Sequence, residues 1–165
     1  MAAVAGLALL AAAPAQAQSG TSAVCTATFP EVSISPPFKP FVLTRASGTV
    51  TSGGQTGRVI CVGEIGGARV TGAGTGGIMY AYSSGTCAAH VGLGTATWTI
   101  PTEAGPKQLT GTLSVRRIAL GVLAEVRFPD ALADLAGAVV PVAGDCVITP
   151  LSKVHVTVAG PLVGP

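Results

Sequence analysis

The chain has 165 residues, of which 48% are hydrophobic and only 10% charged, with a formal net charge of +2. That apolar content excludes a disordered chain, and the near-balance of charge excludes the basic footprint that nucleic acid or an anionic membrane surface requires. The length suits one domain.

The chain opens with an apolar run over residues 2–13. The run is short of the roughly 20 apolar residues that span a bilayer. Pro14 and then Ala15-Gln16-Ala17 follow it, the small-residue pattern that signal peptidase accepts. The expectation is a signal peptide over 1–17, cleaved near Ala17-Gln18, and a single exported domain over 18–165. No Lys or Arg precedes the run, a departure that an upstream start codon would explain.

Short β-like runs punctuated by Gly and Pro make up the rest. A weak strand signal surrounds Cys25. Residues 33–40, with Pro36, Pro37 and Pro40, read as a rigid connection or sheet edge. Strands are expected at 41–44, 58–62 and 68–71. The run Gly72-Ala73-Gly74-Thr75-Gly76-Gly77 satisfies G-x-G-x-x-G. A nucleotide site would need a helix after it. A strand-like segment, 78–82, follows instead, so the run reads as a loop or bulged strand.

Residues 95–100 alternate cleanly: Ala96, Trp98 and Ile100 share one face and Thr95, Thr97 and Thr99 the other. Alternation also marks 112–116, where the adjacent Arg116-Arg117 reads as a solvated strand end. It marks 122–128, with Glu125 and Arg127 outward, and 153–158, with three valines on one face. The one helix candidate is 129–137. There Asp130 could cap the N-terminus and Gly137 supply the left-handed C-terminal residue. A weak strand signal surrounds Cys146, and the tail 159–165 carries no anchor pattern.

These elements imply an all-β fold, an antiparallel β-sandwich or closed barrel of about 8–10 short strands with at most one short helix. Cys25, Cys61, Cys87 and Cys146 all follow the cleavage site. In an exported chain they imply two disulfides. Cys25–Cys61 and Cys87–Cys146 are favoured because each ties neighbouring segments. A zinc site is excluded by spacing, since no C-x-x-C occurs and His90 and His155 are the only histidines. The chain contains no asparagine, so its tight turns rely on Gly, Pro, Ser and Asp.

Chemistry-bearing motifs are absent. There is no G-x-S-x-G elbow. His90 is expected in a loop after Cys87, and His155 on the outward face of the last strand. The acids Glu31, Glu64, Glu103, Glu125, Asp130, Asp134 and Asp145 are scattered, with no pair at the spacing glycoside cleavage uses. No cofactor is implied. Tyr80 and Tyr82 share a strand face and could form an exposed aromatic platform for a ligand; Ile78 beside them favours a core position. The Thr95, Thr97, Thr99 row resembles the rows of ice-binding surfaces but occurs once, and β-propensity accounts for it.

The ordering of a secretion signal, Cys25, the stretch Tyr80-Ala81-Tyr82-Ser83-Ser84-Gly85-Thr86-Cys87, then Gly94-Thr95-Ala96-Thr97-Trp98-Thr99 and Gly144-Asp145-Cys146 resembles a group of small secreted all-β proteins of actinobacteria. The resemblance implies an extracellular β domain and transfers no functional residue. Secreted two-disulfide carriers of enediyne antibiotics are similar in size and export, but their motifs do not occur here. The functional expectation is an extracellular, non-enzymatic module that binds a small ligand, glycan or protein. It would be released from the membrane without a stable anchor, and its apolar surface would allow self-association. The alternative is a small secreted hydrolase built on a histidine or carboxylate.

Overall fold

The computed structural model describes residues 20–39, 47–86 and 89–164. The leader at 1–17, the expected strand at 41–44 and Cys87 lie outside them.

The described chain is all antiparallel sheet. Its strands are β1 (Ser22–Phe38), β2 (Gly48–Thr51), β3 (Gly57–Ile65), β4 (Ala68–Arg69), β5 (Ala73–Gly85), β6 (Ala89–Thr102), β7 (Gly105–Ile118), β8 (Gly121–Phe128), β9 (Ala131–Ala143) and β10 (Leu151–Val163). Ten strands match the expected number, but they are not short: β1 has 17 residues and β6 and β7 have 14 each.

From β5 to β10 every strand pairs with the next in sequence. β1 pairs with β10 on one side and with β3 and then β2 on the other. β2 and β3 each continue to β5. The ladders therefore trace a circuit that returns to its start, with β2 and β3 sharing one position in it. The glycine-rich run, expected as a loop or bulge, lies largely inside β5, and the proline segment after Ser33 belongs to β1, where the register with β10 shifts.

No helix occurs among the described residues, and 129–137 is a correction. Pro129-Asp130 is a two-residue turn between Phe128 and Ala131, a role suited to fixed proline φ and a short polar side chain. The residues after it run as β9, with Ala133 and Leu135 buried and Asp134 and Ala136 exposed. The alanine-rich composition favours a helix locally. Pairing with β8 on one side and β10 on the other, which satisfies backbone groups of the segment, wins. The weak strand signal at Cys146 is also corrected: 144–150 is an irregular connection.

Inward positions follow the two-residue period. Ala96, Trp98 and Ile100 are buried as expected, as are Val122, Val126 and Phe128, and Val154, Val156 and Val158. Large rings sit over glycines of the adjacent strand. Gly76 is the cross-strand partner of Trp98. A Cβ there would come within 2.8 Å of Val59 Cγ2 and 3.0 Å of Trp98 Cδ1. Phe29 lies over Gly57 and Tyr80 over Gly92 in the same way.

Cys25 and Cys61 are direct cross-strand partners on β1 and β3, both buried, and they form a disulfide with Cα atoms 4.0 Å apart. No cysteine among the described residues is free. The bridge closes a sequence separation of 36. Replacing Cys25 and Cys61 together by alanine is expected to lower stability by about 2–4 kcal/mol, read as a fall in the urea midpoint; an unchanged midpoint would show that the bridge contributes nothing.

Candidate functional site in the interior of the ring

The inner face encloses a cavity of about 40 Å³, room for roughly three water-sized groups. Most of its wall is aliphatic: Val32, Ile34, Val50, Leu113, Val115 and Val126 contribute, with Trp98 among them. Tyr80, His90 and Arg117 make one stretch of the wall polar.

These three residues are placed by strand register. His90 on β6 and Arg117 on β7 are direct cross-strand partners, so their side chains emerge side by side on the inner face. Tyr80 enters from β5. Its hydroxyl and His90 Nε2 lie 2.8 Å apart, and the two rings stack with centroids 5.8 Å apart. Phe38 and Tyr82 close round the imidazole, with ring centroids 5.0 and 5.8 Å from it. Tyr82 donates its hydroxyl to the Pro36 carbonyl at 3.1 Å.

Burial sets the electrostatics. His90 is 5% exposed and Arg117 4%. Removal from water holds the His90 pKa down at about 4, and the Arg117 charge adds to that effect. The imidazole is therefore neutral at pH 7. Burial also raises the Tyr80 phenol far above its ordinary range, against the opposing pull of Arg117. The phenol is a stronger acid than a neutral imidazole, so the Tyr80 O–H donates to Nε2 and the remaining proton sits on Nδ1. Among the described residues Nδ1 has no hydrogen-bond partner, and neither does Nε1 of Trp98, a residue that lines the same cavity.

Arg117 is the only Asp, Glu, Lys or Arg side chain buried among the described residues. Its Nε donates to the Ala119 carbonyl at 3.1 Å. The ion pairs of the described residues are Arg127–Glu125 and Lys153–Glu31, both on the outside. All seven acidic side chains of the chain are described, and none is buried.

Several sequence expectations change. Tyr80 and Tyr82 are 7% and 3% exposed, the core position that Ile78 favours, so the alternative of an exposed platform falls, and Tyr80 lines the cavity. His90 is not in a loop but on β6, facing in. Arg117 is not a solvated end. His155 alternates with the buried Val154 and Val156 on β10, on the outward face as expected; it is half-buried there, 3.2 Å from the Thr157 hydroxyl. The threonine row is wider than it looked: Thr97 faces Thr110 and Thr95 faces Thr112 across the β6–β7 ladder. Thr75 and Thr99 both donate to Gln55 Oε1, at 2.9 and 3.1 Å. Asp145 organises the β9–β10 connection, its Oδ1 accepting the N–H groups of Val147, Ile148 and Thr149 at 2.8–2.9 Å. Those bonds hold its carboxyl at about 2.

The two shifts predict separate acid effects. His90 takes up a proton near 6.5 when unfolded but only near 4 when folded. The unfolded chain therefore binds more protons between those values, and stability falls as pH drops from about 6.5 to about 4, by on the order of 3 kcal/mol. Asp145 is depressed, so its contribution is present above about 4 and is lost as pH falls toward about 2. Urea titrations across pH 3–8 are expected to show the first loss in the native chain and a flatter curve in His90→Phe. An equal slope in both would remove His90 as its cause.

Comparison of the chain with protein-family models, with curated proteins and with solved structures finds no match.

Proposed function

We propose that the chain is an exported closed β-barrel that holds a small, mainly apolar ligand in its interior and acts by binding rather than by catalysis. One observation carries the reading: an apolar cavity lined by His90 and Trp98, whose Nδ1 and Nε1 are buried with no partner among the described residues. Buried polar atoms are ordinarily paired.

The barrel form is supported by the ladder circuit through β1 and β10. A sandwich would leave edges at the first and last strands. With β2 and β3 in one position, eight strands surround the interior, a number that leaves space for side chains and at most one small ligand. Export is supported by the leader-like sequence at 1–17 and by the oxidised Cys25–Cys61 pair. A second bridge, Cys87–Cys146, belongs to the same reading. Among the described residues no helix is long and apolar enough to cross a membrane. The strands themselves are long enough for an outer-membrane barrel, about 9–11 residues. The interior, however, does not suit that role, because aliphatic side chains point in where such barrels are polar, and Arg116, Asp134 and Arg127 stand exposed on the outside.

Binding is favoured over hydrolysis because the partner of the buried histidine is a phenol, and every carboxylate lies outside the cavity. A glycan platform loses its support with the burial of Tyr80 and Tyr82. Exposed Val91, Leu93 and Leu123 on the outer face leave room for contact with another protein.

Trp98 is the chain's single tryptophan and lines the cavity, so it reports occupancy. Titration with 1-butanol is expected to change Trp98 emission saturably and to raise the melting temperature. The cavity-filling variants Ala96→Val and Ala124→Val should weaken both responses. A non-saturating response identical in wild type and both variants would reject interior binding. Export is tested separately by mass spectrometry of the non-reduced, secreted chain: a mass beginning near Gln18 and lacking free thiols is expected, and an intact leader or free thiols would reject it.

A further inference from the structure

We infer that the interior site takes a small carboxylate, with its anionic group against Arg117 and His90 and a short aliphatic tail along the apolar wall. The inference rests on the interior-binding reading and names the ligand class of that same cavity.

The geometry supplies the parts of an anion site. Arg117 and His90 are cross-strand partners on the inner face and line the same cavity. Both are more than nine-tenths buried. The Arg117 guanidinium spends one N–H on the Ala119 carbonyl, which leaves the planar donor fork that matches a carboxylate. Tyr80 fixes the imidazole through Nε2 and so leaves Nδ1–H, a donor without a partner among the described residues, as a second point of attachment.

The chain cannot neutralise this cation itself. A buried charge without a counter-ion is strongly unfavourable, and each of the seven acidic side chains lies on the outside. An anion that enters the cavity relieves that cost. The remaining wall is aliphatic and aromatic, which selects a tail of carbon over a bare inorganic anion. The cavity of about 40 Å³ holds little more than the carboxylate itself, so a short tail enters only as wall side chains move.

The test compares sodium butyrate with 1-butanol, which has the same tail and no charge, by NMR titration of the isotope-labelled full chain. Butyrate is expected to saturate and to shift the Arg117 Nε–H and His90 ring signals. Arg117→Met should lower the butyrate-to-1-butanol affinity ratio by about tenfold or more, the loss of a charge-assisted hydrogen bond. Should that variant not fold, Arg117→Lys keeps the charge without the fork and His90→Phe removes the Nδ1 donor. Each is expected to weaken butyrate several-fold. Saturable 1-butanol binding without butyrate binding overturns the carboxylate assignment and leaves the interior-binding reading standing. Equal butyrate affinity in the variants, or chloride binding as tightly as butyrate, also overturns the assignment. Failure of both probes overturns the assignment and the interior reading together.

Discussion

Closure of the sheet depends on one strand. From β5 to β10 the chain is a meander in which each strand meets its neighbour in sequence, so those ladders form with little loop-closure entropy. The ladder between β1 and β10 is different in kind. It joins Ser22 to Val163 and Val32 to Val154, close to the full length of the described chain, and it has to form before the inner face is shielded from water. The same β1 carries Cys25, whose bridge to Cys61 fixes β1 against β3. Register there is a two-residue matter: a slip by one would turn Cys25, Ala27 and Phe29 outward and open the circuit. The disulfide therefore acts on the one strand whose partners are set by distant parts of the sequence.

Within this circuit of ladders, volume decides which residues can be buried. Aromatic rings are admitted where the next strand offers glycine: Trp98 over Gly76, Phe29 over Gly57, Tyr80 over Gly92. Glycine weakens an isolated strand, so its frequency here makes sense only against the rings it accommodates. At one end Trp98 and Phe128 pack with centroids 5.3 Å apart. Toward the other end Phe38, Tyr80, Tyr82 and His90 form a second cluster. Between them the wall is Val, Ile, Leu and Ala. Branched and small side chains do not interdigitate to native density everywhere, and the space that remains is the cavity.

The strands were legible where one face was fully apolar, as at 95–100, 122–128 and 153–158, because a two-residue period leaves no second reading. The segment 129–137 was not, since Ala131-Leu132-Ala133-Asp134-Leu135-Ala136 fits a helix and a strand about equally, and only its two neighbouring ladders decide. The glycine run leaves loop and bulged strand open for a related reason: the residues it packs against, Val59 and Trp98, lie outside its own local pattern. His90 and Arg117 are more instructive. Each continues a run already in view. Ala96, Trp98 and Ile100 set the inward parity of β6, and His90 shares it; Leu113 and Val115 set the inward parity of β7, and Arg117 shares it. The pairing of Arg116 with Arg117 suggested a solvated end, although alternation puts one of the two inside. Extending the apolar face by one more step on each strand would have placed both residues in the interior, though not beside each other, because register between strands is absent from a single strand's pattern.

The position of Arg117 runs against the economy of the rest of the core. An aliphatic residue there would pack beside Val122 and Val115 without desolvating a charge, and replacement of buried ions by apolar groups is often neutral or stabilising. Its β7–β8 turn is arranged around it: Ala119 takes a positive φ of 53° and turns its carbonyl to Arg117 Nε. The unpaired His90 Nδ1 adds a second cost of the same sort. These two unfavourable terms stand on adjacent strands, and both residues line one cavity. A merely structural pair would have been completed by one of the chain's own carboxylates, for instance by an acid in place of Val122, the cross-strand partner of Arg117. That position holds valine, so the cross-strand neighbour of the charge on β8 is apolar.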